Sequence, residues 1–176
     1  MGQYYVIANL DKREFLHPDA FGSGQKLMEF ACDRNGVMMG LAVVLASSNG
    51  MGGGDLRIQG NSPFVHIPGR WAGDRIVVAG DYDDNPESPG VRIYKKCCDP
   101  SSPLQELAAA ADGDASVFEN ISYEVLGCML EDATFRADFC EIEGNPTDPW
   151  HVHTKAQRKH QWVTARPNDP VPASLR

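Results

Sequence analysis

The sequence lacks any long apolar run: its most hydrophobic stretch, residues 37–46, reads Val-Met-Met-Gly-Leu-Ala-Val-Val-Leu-Ala. Its about ten residues are half of what a bilayer-spanning helix needs, so it reads as a core helix and no membrane partner is expected. A cationic start followed by an apolar stretch is also missing, because Met1–Leu10 mixes Gln, two Tyr and Asn with aliphatics. No export signal is read there, and a cytoplasmic location is the expectation. Positive charge is scarce: 16 Lys and Arg stand against 24 Asp and Glu, giving a net charge of −8 and a pI near 5.0. Such a field repels phosphate backbones, so no nucleic-acid partner is expected. The one basic stretch, Lys155–His160, reads as a solvated face. Five cysteines include the adjacent pair Cys97 and Cys98 but no Cys-x-x-Cys, which excludes a secreted-type disulfide framework and leaves reduced thiols as the simpler account. Catalytic signatures are missing too: there is no Gly-x-Ser-x-Gly, no Walker Gly-Lys-Ser/Thr, and no Gly-x-Gly-x-x-Gly ahead of a helix.

What is present is an ordinary globular composition, 42% hydrophobic and 23% charged over 176 residues. A chain of this size builds a core without a disulfide or metal staple. The pattern predicts a single α+β domain over residues 1–165, a mainly antiparallel sheet packed against three to four helices, with 166–176 as an extended polar tail. Tyr4–Asn9 and Glu14–Leu16 read as a β-hairpin around the polar turn at 10–13. A helix starts at Ser23 or Gly24, carries Leu27, Met28, Phe30 and Ala31 at helical spacing, and stops at Asn35-Gly36. The nearly uninterrupted apolar helix Val37–Ser47 should be central, and Ser48–Asp55 a glycine-rich loop. Asp74–Ala79 is the clearest buried strand, with Val91–Cys97 as its expected antiparallel partner across the acidic turn Asp81–Pro89. Leu104–Ala111 reads as helix, as does Tyr123–Glu131 behind the N-cap Ser122, with one or two further turns over Ala133–Phe139. Trp150–His153 and Gln161–Thr164 read as short strands.

Four segments carry a resemblance: Met1–Tyr5 (Met-Gly-Gln-Tyr-Tyr), Leu16–Pro18 (Leu-His-Pro), Gly52–Asp55 (Gly-Gly-Gly-Asp), and Trp71–Tyr82, which runs Trp-Ala-Gly-Asp-Arg-Ile-Val-Val-Ala-Gly-Asp-Tyr. In these the chain resembles a small family of bacterial and phage proteins. The resemblance covers roughly the first half of the chain, implies a phage-borne origin as one option, and brings no activity, cofactor or site residue with it.

Three places can carry chemistry. Gly52, Gly53 and Gly54, followed by Asp55, present successive backbone N–H groups able to cradle an anion, though a tight connection needs the same glycines. Asp81, Asp83, Asn85 and Glu87 alternate as oxygen ligands do in a calcium loop; Pro86, Ser88 and Arg92 break that pattern, so a solvated turn competes with a divalent-cation site. Asp74 and Asp81 cap opposite ends of one strand, about 23 Å apart at ~3.3 Å per residue, and cannot form one carboxylate pair. His151 and His153 fall on the same side of a strand and can share a metal, with Cys140 and His160 as further donors; a surface strand competes. Cys97 and Cys98 follow Lys95-Lys96, whose charge can lower a thiol pKa, and His17 and His66 are each next to a proline-containing loop where either can serve as a base.

These features point to a small binding or accessory protein whose ligand-binding surface joins Gly52, Gly53, Gly54, Asp55, Trp71, Asp74, Asp81 and Tyr82, facing a small molecule or a protein. The alternative is a metal-assisted hydrolase or transferase on a phosphate-containing substrate, with Asp81, Asp83, His151 and His153 as ligands and a divalent metal as the only cofactor suggested. A third option is a structural subunit, a homo-oligomer packing through Val37–Ala46 and Trp150–Trp162.

Overall fold

The computed structural model describes residues 2–31, 36–49, 54–98, 118–141 and 155–176. Its centre is strand β1 (Tyr5–Asn9), flanked by β2 (Glu14–Leu16) and β3 (Ile76–Gly80), both antiparallel to it. The two-residue strand β4 (Glu119–Asn120) adds to β2 in parallel, giving the order β3-β1-β2-β4. This is the expected single-domain α+β fold with a mainly antiparallel sheet; the parallel edge is an addition.

The hairpin forms as its sequence predicts, and Asn9 is the reason its turn is fixed. Fully buried, Asn9 accepts the Asp11 and Lys12 N–H groups on Oδ1, both at 2.9 Å, and donates from Nδ2 to Asp74 at 2.8 Å. An asparagine offering both amide functions to a turn does locally what a backbone turn would do.

Both faces of the sheet are covered. On one, Ile7 and Leu16 enter the main core with Phe21 of α1 (Pro18–Phe21), Val37 and Val44 of α3 (Val37–Leu45), Val125, Leu126 and Met129 of α5 (Ser122–Met129), Phe135 and Phe139 of α6 (Ala133–Cys140), and Trp162 of α7 (Lys155–Ala165). Helix α2 (Leu27–Ala31) adds Phe30, edge-on to Tyr5. On the other face, Val6, Ala8, Phe15 and Ala79 meet α4 (Pro89–Cys98) through Cys97, Ile93 and Tyr94. Successive side chains of a strand point to opposite faces, so a β1 buried from Val6 to Asn9 demands a layer on each side.

Two expected strands are helices. Residues 91–97 alternate Val91 and Ile93 with basic residues, yet Val91, Tyr94 and Cys97 also recur every third position, and the helical period wins. Pro89 suits a first helical turn, and the Ser88 hydroxyl accepts the Val91 N–H at 3.5 Å. The partner of β3 is therefore β1, not this segment. Residues 161–164 belong to α7, whose inward stripe is Arg158, Gln161, Trp162 and Ala165. Two polar residues in a core stripe hide its period from a reading based on apolar residues. Arg158 also corrects the reading of Lys155–His160 as solvated: it is 8% exposed, its guanidinium lies 4.4 Å from the Phe139 ring centre, and Nη1 donates to the Phe21 carbonyl at 3.4 Å.

Helix α3 is less central than its composition suggests. Val37, Gly40 and Val44 face inward while Met38, Met39 and Leu45 stay more than a third exposed. Gly40 lets α1 approach, since a Cβ there would lie 2.8 Å from the Phe21 ring. The glycine-rich stretch 50–53, the expected helix 104–111 and the expected strand 150–153 lie outside the described residues. Residues 166–176 have no strand and no α-helix but are docked: Arg166 reaches the Gly127 carbonyl at 3.0 Å and Glu131 at 3.3 Å, and Leu175 in the 3₁₀ turn Ala173–Leu175 is fully buried. Among the described residues no helix is long and apolar enough to cross a membrane.

Candidate functional site

The residues singled out from the sequence are held by different parts of the fold. Trp71 is fully buried and has no face on the surface; its N–H donates to the Val44 carbonyl at 2.7 Å and its Nε1 to Glu14 at 2.7 Å. Glu14, 6% exposed, also accepts Arg70 through Nε at 3.0 Å and Nη2 at 2.7 Å. Burial pushes the Glu14 carboxyl up, but the hydrogen bonds from Arg70 and Trp71 with the Arg70 charge outweigh it and hold the group below the usual carboxylate range. Asp74 locks the hairpin turn through Asn9 and Lys12 Nζ, the latter at 2.5 Å, and these bonds keep its carboxyl ionised to lower pH than usual.

At the other end of β3, Asp81 accepts the Tyr4 N–H at 2.9 Å, and Tyr82 is 67% exposed. Gly54, in the left-handed region at φ 94°, has open space about it, and Asp55 is half-buried. The chain after them is fastened to the α5–α6 corner, where the Arg57 N–H meets Asp132 and the Gln59 N–H meets Glu131, both at 3.4 Å. Gly54–Asp55 and Asp81–Tyr82 thus have separate anchors, and Trp71 and Asp74 serve the fold. Gly52 and Gly53 lie outside the described residues.

In the acidic turn, Asp83 accepts the Asn85 N–H and Asn85 the Glu87 N–H, each at 3.0 Å. These carboxylate and amide oxygens cap their own turn. Among the described residues no three His, Cys, Asp or Glu gather closely enough to hold a metal, so Asp81 and Asp83 have no third ligand there; His151 and His153 lie outside those residues. Nor do the thiols among the described residues show nucleophilic character. Burial raises Cys97, Cys98 and Cys128, the last two to about 11 and about 12, so the lowered thiol pKa expected from Lys95-Lys96 beside Cys97 and Cys98 is not seen.

His17 is the N-cap of α1: its Nδ1 accepts the Asp19 N–H at 3.3 Å, and its own N–H donates to Ser122 Oγ at 2.8 Å. Only a neutral imidazole can accept at Nδ1, and burial depresses the His17 pKa below 6.5, against the opposing pull of Asp19. Its contribution to stability is therefore complete above pH 6.5 and is lost as pH falls from there toward the depressed folded-state value. Unfolding temperatures between pH 7.5 and 5 should show this: the wild type should lose more than His17→Asn, which keeps a cap without a titrating group. Equal slopes would show that His17 carries no such linkage.

Chemically varied side chains converge elsewhere, in a cleft of about 240 Å³ between α1, α5 and α7. Asp19, Gly22 and Ser23 form one wall, Tyr123 the second, and Gln157, His160 and Gln161 the third. The walls are tied together from behind, since Gln161 Nε2 donates to the Asp19 carbonyl at 3.2 Å and Arg158 to that of Phe21. Gly22, at φ 79°, turns the chain out of α1 so that Ser23 comes back against α3, where its hydroxyl accepts the Val37 N–H at 3.1 Å. Asp19 Oδ2 accepts Gln25 Nε2 at 2.7 Å. Burial raises the Tyr123 hydroxyl, which stays a neutral donor and acceptor. No local motif announces this site, because its parts come from residues 19–23, 123 and 157–161 and meet only through the fold.

No protein-family model, curated protein or solved structure matches this chain.

Proposed function

We propose that the protein is a small binding protein that takes a polar, hydrogen-bonding ligand in the α1–α5–α7 cleft. The convergence of a carboxylate, a phenol, an imidazole and two carboxamides from three helices on one concavity supports this reading. The cleft is below the ~300–1,000 Å³ of pockets that enclose drug-sized molecules, which suits a ligand of monosaccharide or amino-acid size. Its groups offer both donors and acceptors, with Asp19 as the one acid, so neutral or cationic molecules fit better than anions. Asp74 and Asp81, which the sequence reading joined to the glycine-rich segment, are engaged within the fold.

A thermal-shift and titration screen of the purified protein against monosaccharides, amino acids, polyamines and nucleosides tests this. A binder should lose at least tenfold in affinity on His160→Ala and on Gln157→Trp, which fills the cleft from its rim. Binding indifferent to both variants, or silence across the panel, would contradict the proposal.

A further inference from the structure

The sheet has two edges, and they differ. The β4 edge is two residues long and carries exposed Glu119 and Asn120, the usual defence against further pairing. The β3 edge, Ile-Val-Val-Ala-Gly, has no charge and no proline over five residues, and Val78 at its midpoint is 42% exposed. Among the described residues its only partner strand is β1. The ladder fixes which groups point outward. Leu10 N–H donates to the Arg75 carbonyl and Asp81 N–H to the Tyr4 carbonyl, so the odd-numbered residues from 75 to 81 bond to β1. The N–H and C=O groups of Ile76, Val78 and Gly80 therefore face away from the sheet.

We propose that β3 pairs with β3 of a second copy of this chain, antiparallel about a twofold axis at Val78, to make one continuous eight-stranded sheet. In that register exposed Val78 faces Val78 of the other copy and Ile76 faces Gly80; Gly80 is buried in the single chain, so the central pair bonds first and the outer pairs bond once Gly80 is uncovered. The charges agree with the same register. Arg75 falls opposite Asp81 at both ends; the Arg75 side chain is 75% exposed although it bonds Asp11, which leaves its guanidinium accessible to a second carboxylate. Antiparallel neighbours of opposite charge stabilise a strand pair, and a twofold axis applies the match twice. Exposed Tyr4 and Tyr82 flank the Asp81 end and extend the contact beyond the strand itself. A five-residue edge is small beside a standard interface, so the dimer should be concentration-dependent, with a dissociation constant on the order of micromolar.

Sedimentation equilibrium over about 1–100 µM tests this, with far-UV circular dichroism as the check on folding. The wild type should approach twice the 19.3 kDa monomer mass. Val78→Lys and Val78→Glu, each placing like charges face to face on the axis, should raise the dissociation constant at least tenfold. An equimolar mixture of the two variants should dimerise again. A wild type that stays monomeric at 100 µM, a Val78→Lys protein that dimerises as before, or a mixture that fails to associate would each overturn the proposal.

Discussion

Replacing Glu14 with alanine is expected to lower stability by about 3–5 kcal/mol, the usual cost of removing one partner from a buried ion pair. The carboxylate is the shared acceptor for Arg70 and Trp71; Trp71 is fully buried, while Arg70 is half-buried and has Glu124 3.7 Å away as a second partner. Its loss leaves the buried Trp71 indole N–H without an acceptor and the half-buried Arg70 guanidinium with only Glu124 and solvent in its place. For a chain of this length the unfolding temperature should fall by on the order of 10 °C. Glu14→Gln keeps an oxygen for one donor and should lose less. Because the Glu14 pKa is depressed, this stabilisation is present above pH 4.5 and disappears as pH falls below it, so the gap between wild type and Glu14→Gln should close in acid. Urea unfolding at pH 7 and pH 3 measures both effects. An alanine variant within 1 kcal/mol of wild type would show that the pair carries no such weight.

The second large effect is expected far from that pair in sequence. Leu175 is fully buried beside Val171 and the α7 end of the main core. Leu175→Ala should therefore cost about 2–5 kcal/mol, as leucine truncations in tight cores do. Ser174→Ala, one residue earlier and exposed, should stay within about 0.5 kcal/mol. Denaturant melts of the two variants check this, and a Leu175→Ala protein as stable as Ser174→Ala would mean that residues 166–176 contribute nothing to the core. Composition alone marks this segment as polar and extended, because one valine and one leucine among prolines and polar residues give no period from which burial can be read.

The same physics separates what the sequence discloses from what it hides. The β1–β2 hairpin and helix α5 are legible because their signals are local: turn residues between two apolar runs, and apolar positions at helical spacing after Ser122. Residues 91–97 satisfy a period of two and a period of three at once, and only packing against Val6, Ala8 and Ala79 decides for helix. Trp71 and Asp74 stand out in sequence because they are polar or aromatic among small residues, a pattern shared by contact surfaces and by buried anchors. Here the buried Glu14 acceptor and the Asn9 turn account for them, and neither partner is near them in the chain. The cleft is illegible for the complementary reason. Asp19, Tyr123 and His160 belong to three helices separated by more than a hundred residues at one step, and no spacing rule links them.

Backbone amide NMR with a cleft ligand from the screen tests the central claim most directly. The account predicts that the shifted resonances cluster at Asp19, Gly22, Ser23, Tyr123, Gln157, His160 and Gln161, with Gly54, Asp55, Asp81 and Tyr82 unmoved. Shifts concentrated at those last four residues, with the three-helix cleft silent, would contradict it.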